Sequence, residues 1–117
     1  MPPANKANPL KLNALQTRTL LLMQELARHP STGTSDPQTG EVVLSSLPHP
    51  HGNHMHIGEL VVASRDASGF GNESVWKALE RKGLARILAF PMAIALTAVG
   101  QVYDTGLSDR LTADADH

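Results

Sequence analysis

Four histidines at alternating positions around a glycine–asparagine pair are the residues here best suited to chemistry. They are His49, His51, His54 and His56, in the run Pro48-His-Pro-His-Gly-Asn-His-Met-His56. Gly52-Asn53 is a two-residue hairpin signal with glycine at its first central position. A turn there pairs His51 with His54 and His49 with His56. Strand alternation then puts all four imidazoles on one face. Neutral imidazoles bind zinc, nickel or copper, so this face is a candidate metal site, with zinc the expected ion. Clustered imidazoles also titrate together at about pH 6, which would make a pH sensor. The competing reading is a solvated hairpin tip stiffened by Pro48 and Pro50, neither of which can donate to a strand ladder. With no cysteine in the chain, thiolate ligands, thiolate nucleophiles and disulfides are excluded.

A second set of residues lies on a short helix. Val75, Trp76 and Leu79 fall on one side at helical spacing, and Ser74, Lys77 and Arg81 on another. Asn72 is a fitting N-cap, and Glu73 suits the positive end of the helix dipole. Gly83 fits the left-handed position after the helix, with Leu84 folding back over the cap. Trp76 reads as core. Lys77 and Arg81 read either as phosphate contacts or as a solvated helix face. Ahead of this helix, Ser64-Arg-Asp-Ala-Ser-Gly-Phe-Gly71 reads as a glycine-rich turn able to present backbone N–H groups to an anion. It has neither a P-loop lysine nor a GxGxxG spacing. Ser68 lies in no nucleophile elbow, and no enzyme is expected.

The elements that hold these residues follow from caps and periodicity. Asn13 and Gln16 form a capping box for a first helix ending at Arg28-His29-Pro30. Its apolar face is wide (Leu15, Leu20, Leu21, Leu22, Met23, Leu26), which fits a central helix or one that also meets a partner. Ser31 to Gly40 reads as a polar loop. Glu41–Leu47 and Ile57–Ala63 read as strands. Ala85 to Phe90 and Met92 to Leu96 read as two more, separated by Pro91. Thr97 caps a final helix expected to run from Ala98 to Leu111. The expected division is a disordered tail over 1–12, one domain over 13–111 and a disordered tail over 112–117. The expected class is α+β, with helices packed on a small antiparallel sheet.

This order resembles a winged helix-turn-helix domain. Ala78-Leu-Glu-Arg-Lys-Gly-Leu84 and Leu96-Thr-Ala-Val-Gly100 resemble the distal half of regulators of the multiple-antibiotic-resistance-regulator (MarR) type. The resemblance covers about Ser68 to Asp104, a third of the chain. It implies a DNA-binding transcriptional regulator, and a homodimer is expected. Ser74, Lys77 and Arg81 would face the major groove, with Arg65 and Arg86 flanking at the backbone. Two features stand apart from that pattern. Ile57 to Ala63 reads as a strand where the second helix should lie. The wing, Ile87 to Ile94, carries no Lys or Arg, and such a surface suits a protein interface. A protein-interaction or dimerisation module is therefore the alternative, and a histidine-rich metal-binding protein the third reading.

Charge and composition bound these readings. The net charge is −1 and unevenly spread: +3 over residues 1–28, −3 over 30–71, +2 over 72–86 and −3 from Gln101 onward. The basic zones are thus the first helix and the helix before Gly83, a weaker basic footprint than nucleic-acid binders usually carry. Aromatic residues make up 3% of the chain, so the core must be aliphatic. No apolar run is long enough to span a membrane, and a cytoplasmic location is expected.

Overall fold

Asn13 starts the first helix as its sequence requires. In the computed structural model, which describes residues 8–45, 47, 54–57 and 60–106, the Gln16 N–H donates to Asn13 Oδ1 at 2.8 Å. The Asn13 N–H donates back to Gln16 Oε1 at 3.0 Å. Helix α1 then runs over Ala14–Ala27 and buries residues on nearly every side, including Thr17, Thr19, Leu20, Leu22, Met23 and Leu26. It is the central helix that its wide apolar surface implied. At its end the Thr32 hydroxyl donates to the carbonyl of Leu26 at 2.7 Å, which also accepts from the His29 N–H at 3.2 Å.

The sheet is antiparallel and has the order β1-β2-β6-β5. Its strands are β1 (Gly33–Ser35), β2 (Val42–Leu44), β5 (Ala85–Ala89) and β6 (Ala93–Leu96). Strand β1 lies in the stretch expected to be loop. Its residues pair through backbone alone, Thr34 opposite Val43, and polar edge residues leave no apolar alternation to read. A separate hairpin joins β3 (His54–Ile57) to β4 (Leu60–Ala63), with Ile57 opposite Leu60. The single strand expected over Ile57–Ala63 is therefore interrupted. Gly58-Glu59 offers the same glycine-first hairpin signal as Gly52-Asn53, and the pairing from Ile57 to Leu60 spans it.

Between β4 and the next helix lies an eight-residue 3-10 helix, η1 (Ser64–Gly71). It occupies the place where a second helix was missing from the sequence reading. Ala67 and Phe70 are buried beneath it. Gly69 lies so close to α1 that an added Cβ would sit 1.8 Å from Thr19 Oγ1. Only glycine permits that approach.

Helix α2 (Glu73–Arg81) is capped at both ends from its own sequence. Asn72 Oδ1 accepts from the Ser74 N–H at 3.1 Å. At the other end Gly83 has φ +79°. Its N–H donates to Glu80 O at 3.0 Å, and the Leu84 N–H donates to Leu79 O at 2.9 Å. This is the paired closure that a left-handed glycine allows. Helix α3 (Ala98–Val102) is short. Thr97 caps it as expected, but it ends nine residues before Leu111, the expected end. Gln24 on α1 explains the stop. Its amide donates to the carbonyls of both Gly100 and Tyr103 at 2.9 Å, and Tyr103 is already extended.

The ordered chain also begins earlier than Asn13. Asn8 lies in the stretch expected to be a tail, yet its N–H donates to Asp104 O at 2.6 Å. The Tyr103 hydroxyl donates to Asn8 Oδ1 at 2.7 Å and accepts from the Leu10 N–H at 2.8 Å. Leu12 is buried in consequence.

The architecture is α+β, with three helices packed on a small antiparallel sheet, in the order helix, two strands, hairpin, 3-10 helix, helix, two-stranded wing and short helix. Trp76, fully buried, lies at its centre with Leu20, Leu22, Leu79, Ile94 and Leu96.

Candidate nucleic-acid interface

Helix α2 divides sharply between its two sides. Val75, Trp76, Ala78 and Leu79 are buried; Glu73, Ser74, Lys77, Glu80 and Arg81 are exposed. Ser74, Lys77 and Arg81 are spaced three and four residues apart and so form one stripe along the outer surface. The Ser74 hydroxyl donates to Asn72 Oδ1 at 2.7 Å. Lys77 lies 3.8 Å from Glu73, with both side chains more than half exposed. An exposed pair of this kind is worth a few tenths of a kcal/mol and holds Lys77 only weakly.

Arg86 is placed differently from the expectation. Its Nε and Nη2 donate to Glu41 at 3.1 and 2.6 Å, a two-pronged pair across the sheet. The hydrogen bond from Arg86 holds the Glu41 carboxyl below the usual carboxylate range. The same bond raises the guanidinium of Arg86 above its ordinary value, and Asp36 and Glu80 add to the negative field around it. Arg86 is thus paired with Glu41, although its side chain remains 54% exposed. Arg65 lies in η1, one element before α2.

The β5–β6 wing adjoins α2 at two points. The Phe90 ring meets Trp76 edge-on, with centroids 4.8 Å apart and planes at 86°. The Ile87 N–H donates to Glu80 Oε2 at 3.0 Å, which covers an otherwise open donor of the edge strand. The tip itself is apolar and faces water. Leu88 is 41% exposed and Met92 67%.

The metal hypothesis rests mostly outside the described residues. His49, His51 and the expected turn at Gly52-Asn53 lie there. His54 and His56 belong to β3, where they stand opposite Ala63 and Val61. Among the described residues no three His, Asp or Glu side chains are gathered in a way that could hold a metal ion. Among the same residues no helix is long and apolar enough to cross a membrane.

Three residues that shape the interface escaped the sequence reading. Glu41 occupies Arg86, Glu80 turns inward to β5, and Lys82 Nζ donates to Leu10 O at 3.3 Å. The contacts of Glu41 and Lys82 join residues distant in sequence, so no local pattern announces them. Compared with protein-family models, curated proteins and solved structures, the chain matches none.

Proposed function

We propose that this protein binds double-stranded DNA as a small transcriptional regulator of winged-helix type. The observation that carries the reading is the outer stripe of α2. Ser74, Lys77 and Arg81 are exposed on the helix that precedes the wing, while its opposite side is anchored by Trp76. A helix so placed can enter the major groove. The resemblance to MarR-type regulators supports the same reading and suggests a cytoplasmic homodimer. Affinity would come mostly from phosphate contacts and so fall with salt, by about one unit of log–log slope per contact.

The test is an NMR titration with a mixed-sequence duplex at about 50 and about 200 mM salt. The expected result is shifts at Ser74, Lys77 and Arg81 that fade at the higher salt, with Arg86 little affected because Glu41 holds it. No shifts at the lower salt would overturn the reading.

A second reading is a protein-interaction module without DNA binding. It is favoured by exposed apolar side chains on α3 as well as the wing, Val99 and Val102 above all. Solution mass measured across a concentration series tests it: a constant monomer mass, with no partner retained by those residues, would count against it.

A further inference from the structure

The described cations divide by whether a carboxylate holds them. Arg28 is paired with Glu25, Lys77 with Glu73 and Arg86 with Glu41. Among the described residues, Lys11, Arg81 and Lys82 form no ion pair. These three belong to one place. Arg81 closes the outer stripe of α2, and Lys82 follows it about 100° further round the helix. Lys82 Nζ donates to Leu10 O at 3.3 Å, a contact between residues 72 apart, and Lys11 is the next residue after Leu10. The carboxylates that adjoin this place along the chain are turned elsewhere. Glu80 Oε2 accepts from the Ile87 N–H. Asp104, whose carbonyl accepts from the Asn8 N–H, has its Oδ1 on the Gly106 N–H.

The helix dipole accounts for two of the three. Arg81 and Lys82 suit the negative end of α2. Lys11 does not fit that account, because it stands two residues ahead of the Asn13 cap, at the positive end of α1. Its backbone is also in an uncommon state. Lys11 has φ +59°, a region that glycine enters freely and lysine rarely does. Asn8 imposes it from both sides: Asn8 O accepts from the Lys11 N–H at 3.0 Å, and Asn8 Oδ1 from the Leu12 N–H at 2.9 Å. The Lys11 side chain is exposed. An outlier fixed by its surroundings is a reason to look for a function there.

Cations left without carboxylates fit a polyanion. On a duplex, contacts from lysine and arginine to phosphates set a protein's register without reading sequence. We infer that Lys11 and Lys82 join Arg81 in a second phosphate contact, which fixes the position of α2 along the groove. This inference rests on the DNA reading of α2.

The test uses the full chain and two duplexes of about 30 base pairs with different sequences, followed by anisotropy between about 50 and about 200 mM salt. Lys11→Gln should weaken binding by roughly threefold to tenfold at the lower salt, equally on both duplexes. It should also reduce the log–log salt slope by about one. Lys82→Gln, the second variant, should do the same, and Lys11→Arg should keep wild-type binding. Arg28→Gln removes a cation at the other end of α1 and should leave the slope unchanged. Unchanged melting of the Lys11 variants would show that folding is not the cause. Wild-type slopes for Lys11→Gln and Lys82→Gln, with binding that still depends on Lys77 and Arg81, would overturn the second contact and leave the DNA reading standing. An equal loss in Arg28→Gln would also overturn it, as an effect of net charge alone. No binding to either duplex at the lower salt would overturn both readings.

Discussion

The outer stripe of α2 and the tip of the wing are neighbours with opposite chemistry. Both are anchored through Trp76, one as its own helix and the other through Phe90. On α2 the inside is apolar and the outside carries Ser74, Lys77 and Arg81, the ordinary division of a surface helix. On the wing both sides are apolar, so the core chemistry continues out to Leu88 and Met92. Exposed apolar residues scattered singly need no explanation. The wing tip gathers Leu88, Pro91 and Met92 on a hairpin joined to α2 through Phe90 and Ile87. On the DNA reading proposed above, the comparison teaches that the wing would not share the electrostatic work of α2.

The strongest way to break the comparison is to remove the shared anchor. Trp76→Ala should cost about 3–5 kcal/mol, seen as a lower urea midpoint, and should release Phe90 from the joint. The next effect separates the two surfaces. Lys77→Ala with Arg81→Ala should lower DNA affinity by about tenfold or more at low salt and reduce the log–log salt slope by about two. Thermal stability should stay near that of the wild type, because both side chains are exposed. Third, Gly83→Ala places a Cβ at φ +79°. It should destabilise by about 1 kcal/mol and loosen the passage from α2 into β5, measurable as faster amide exchange at Leu84 and Ala85.

The smallest effects concern carboxylates. Burial pushes the Glu25 carboxyl up, but hydrogen bonds from His29 and Arg28 and the charge of Arg28 outweigh it, and the group is held below its ordinary 4.5. A depressed folded value means stability that is present above the ordinary carboxylate range and is lost as pH falls through the folded value. Glu25→Gln should therefore melt earlier than the wild type at neutral pH, and the gap should close as pH falls through the depressed folded value. Glu41 has the same sign. Glu41→Gln should also free Arg86 and raise DNA affinity by about threefold. No gain would show that Arg86 cannot reach the duplex even when released.

What was legible in the sequence is what neighbours in the chain decide. The Asn13–Gln16 capping box, the Asn72 cap, the left-handed Gly83 and the buried Trp76 all follow from residues within one or two turns. The strands of the wing follow from apolar runs broken at Pro91. What was not legible depends on partners far along the chain. Strand β1 pairs through backbone and so leaves no side-chain pattern. Helix α3 stops because Gln24, seventy-six residues earlier, takes the Gly100 carbonyl. Arg86 belongs to Glu41 only once the order β2-β6-β5 exists. The hairpin joining His54–Ile57 to Leu60–Ala63 was not legible because two glycine-first signals lie within seven residues, and alternation alone does not single out the second.

The bond from Asn8 to Asp104 has a mechanical consequence. The two ends of the described chain meet at one point, where Asn8, Tyr103 and Leu10 are tied together. Tension applied through both flanks would load this knot first and open it bond by bond, like a zip. Lys82 at the end of α2 also donates to Leu10 O, so a pull through this point would be passed on to the helix that carries Lys77 and Arg81.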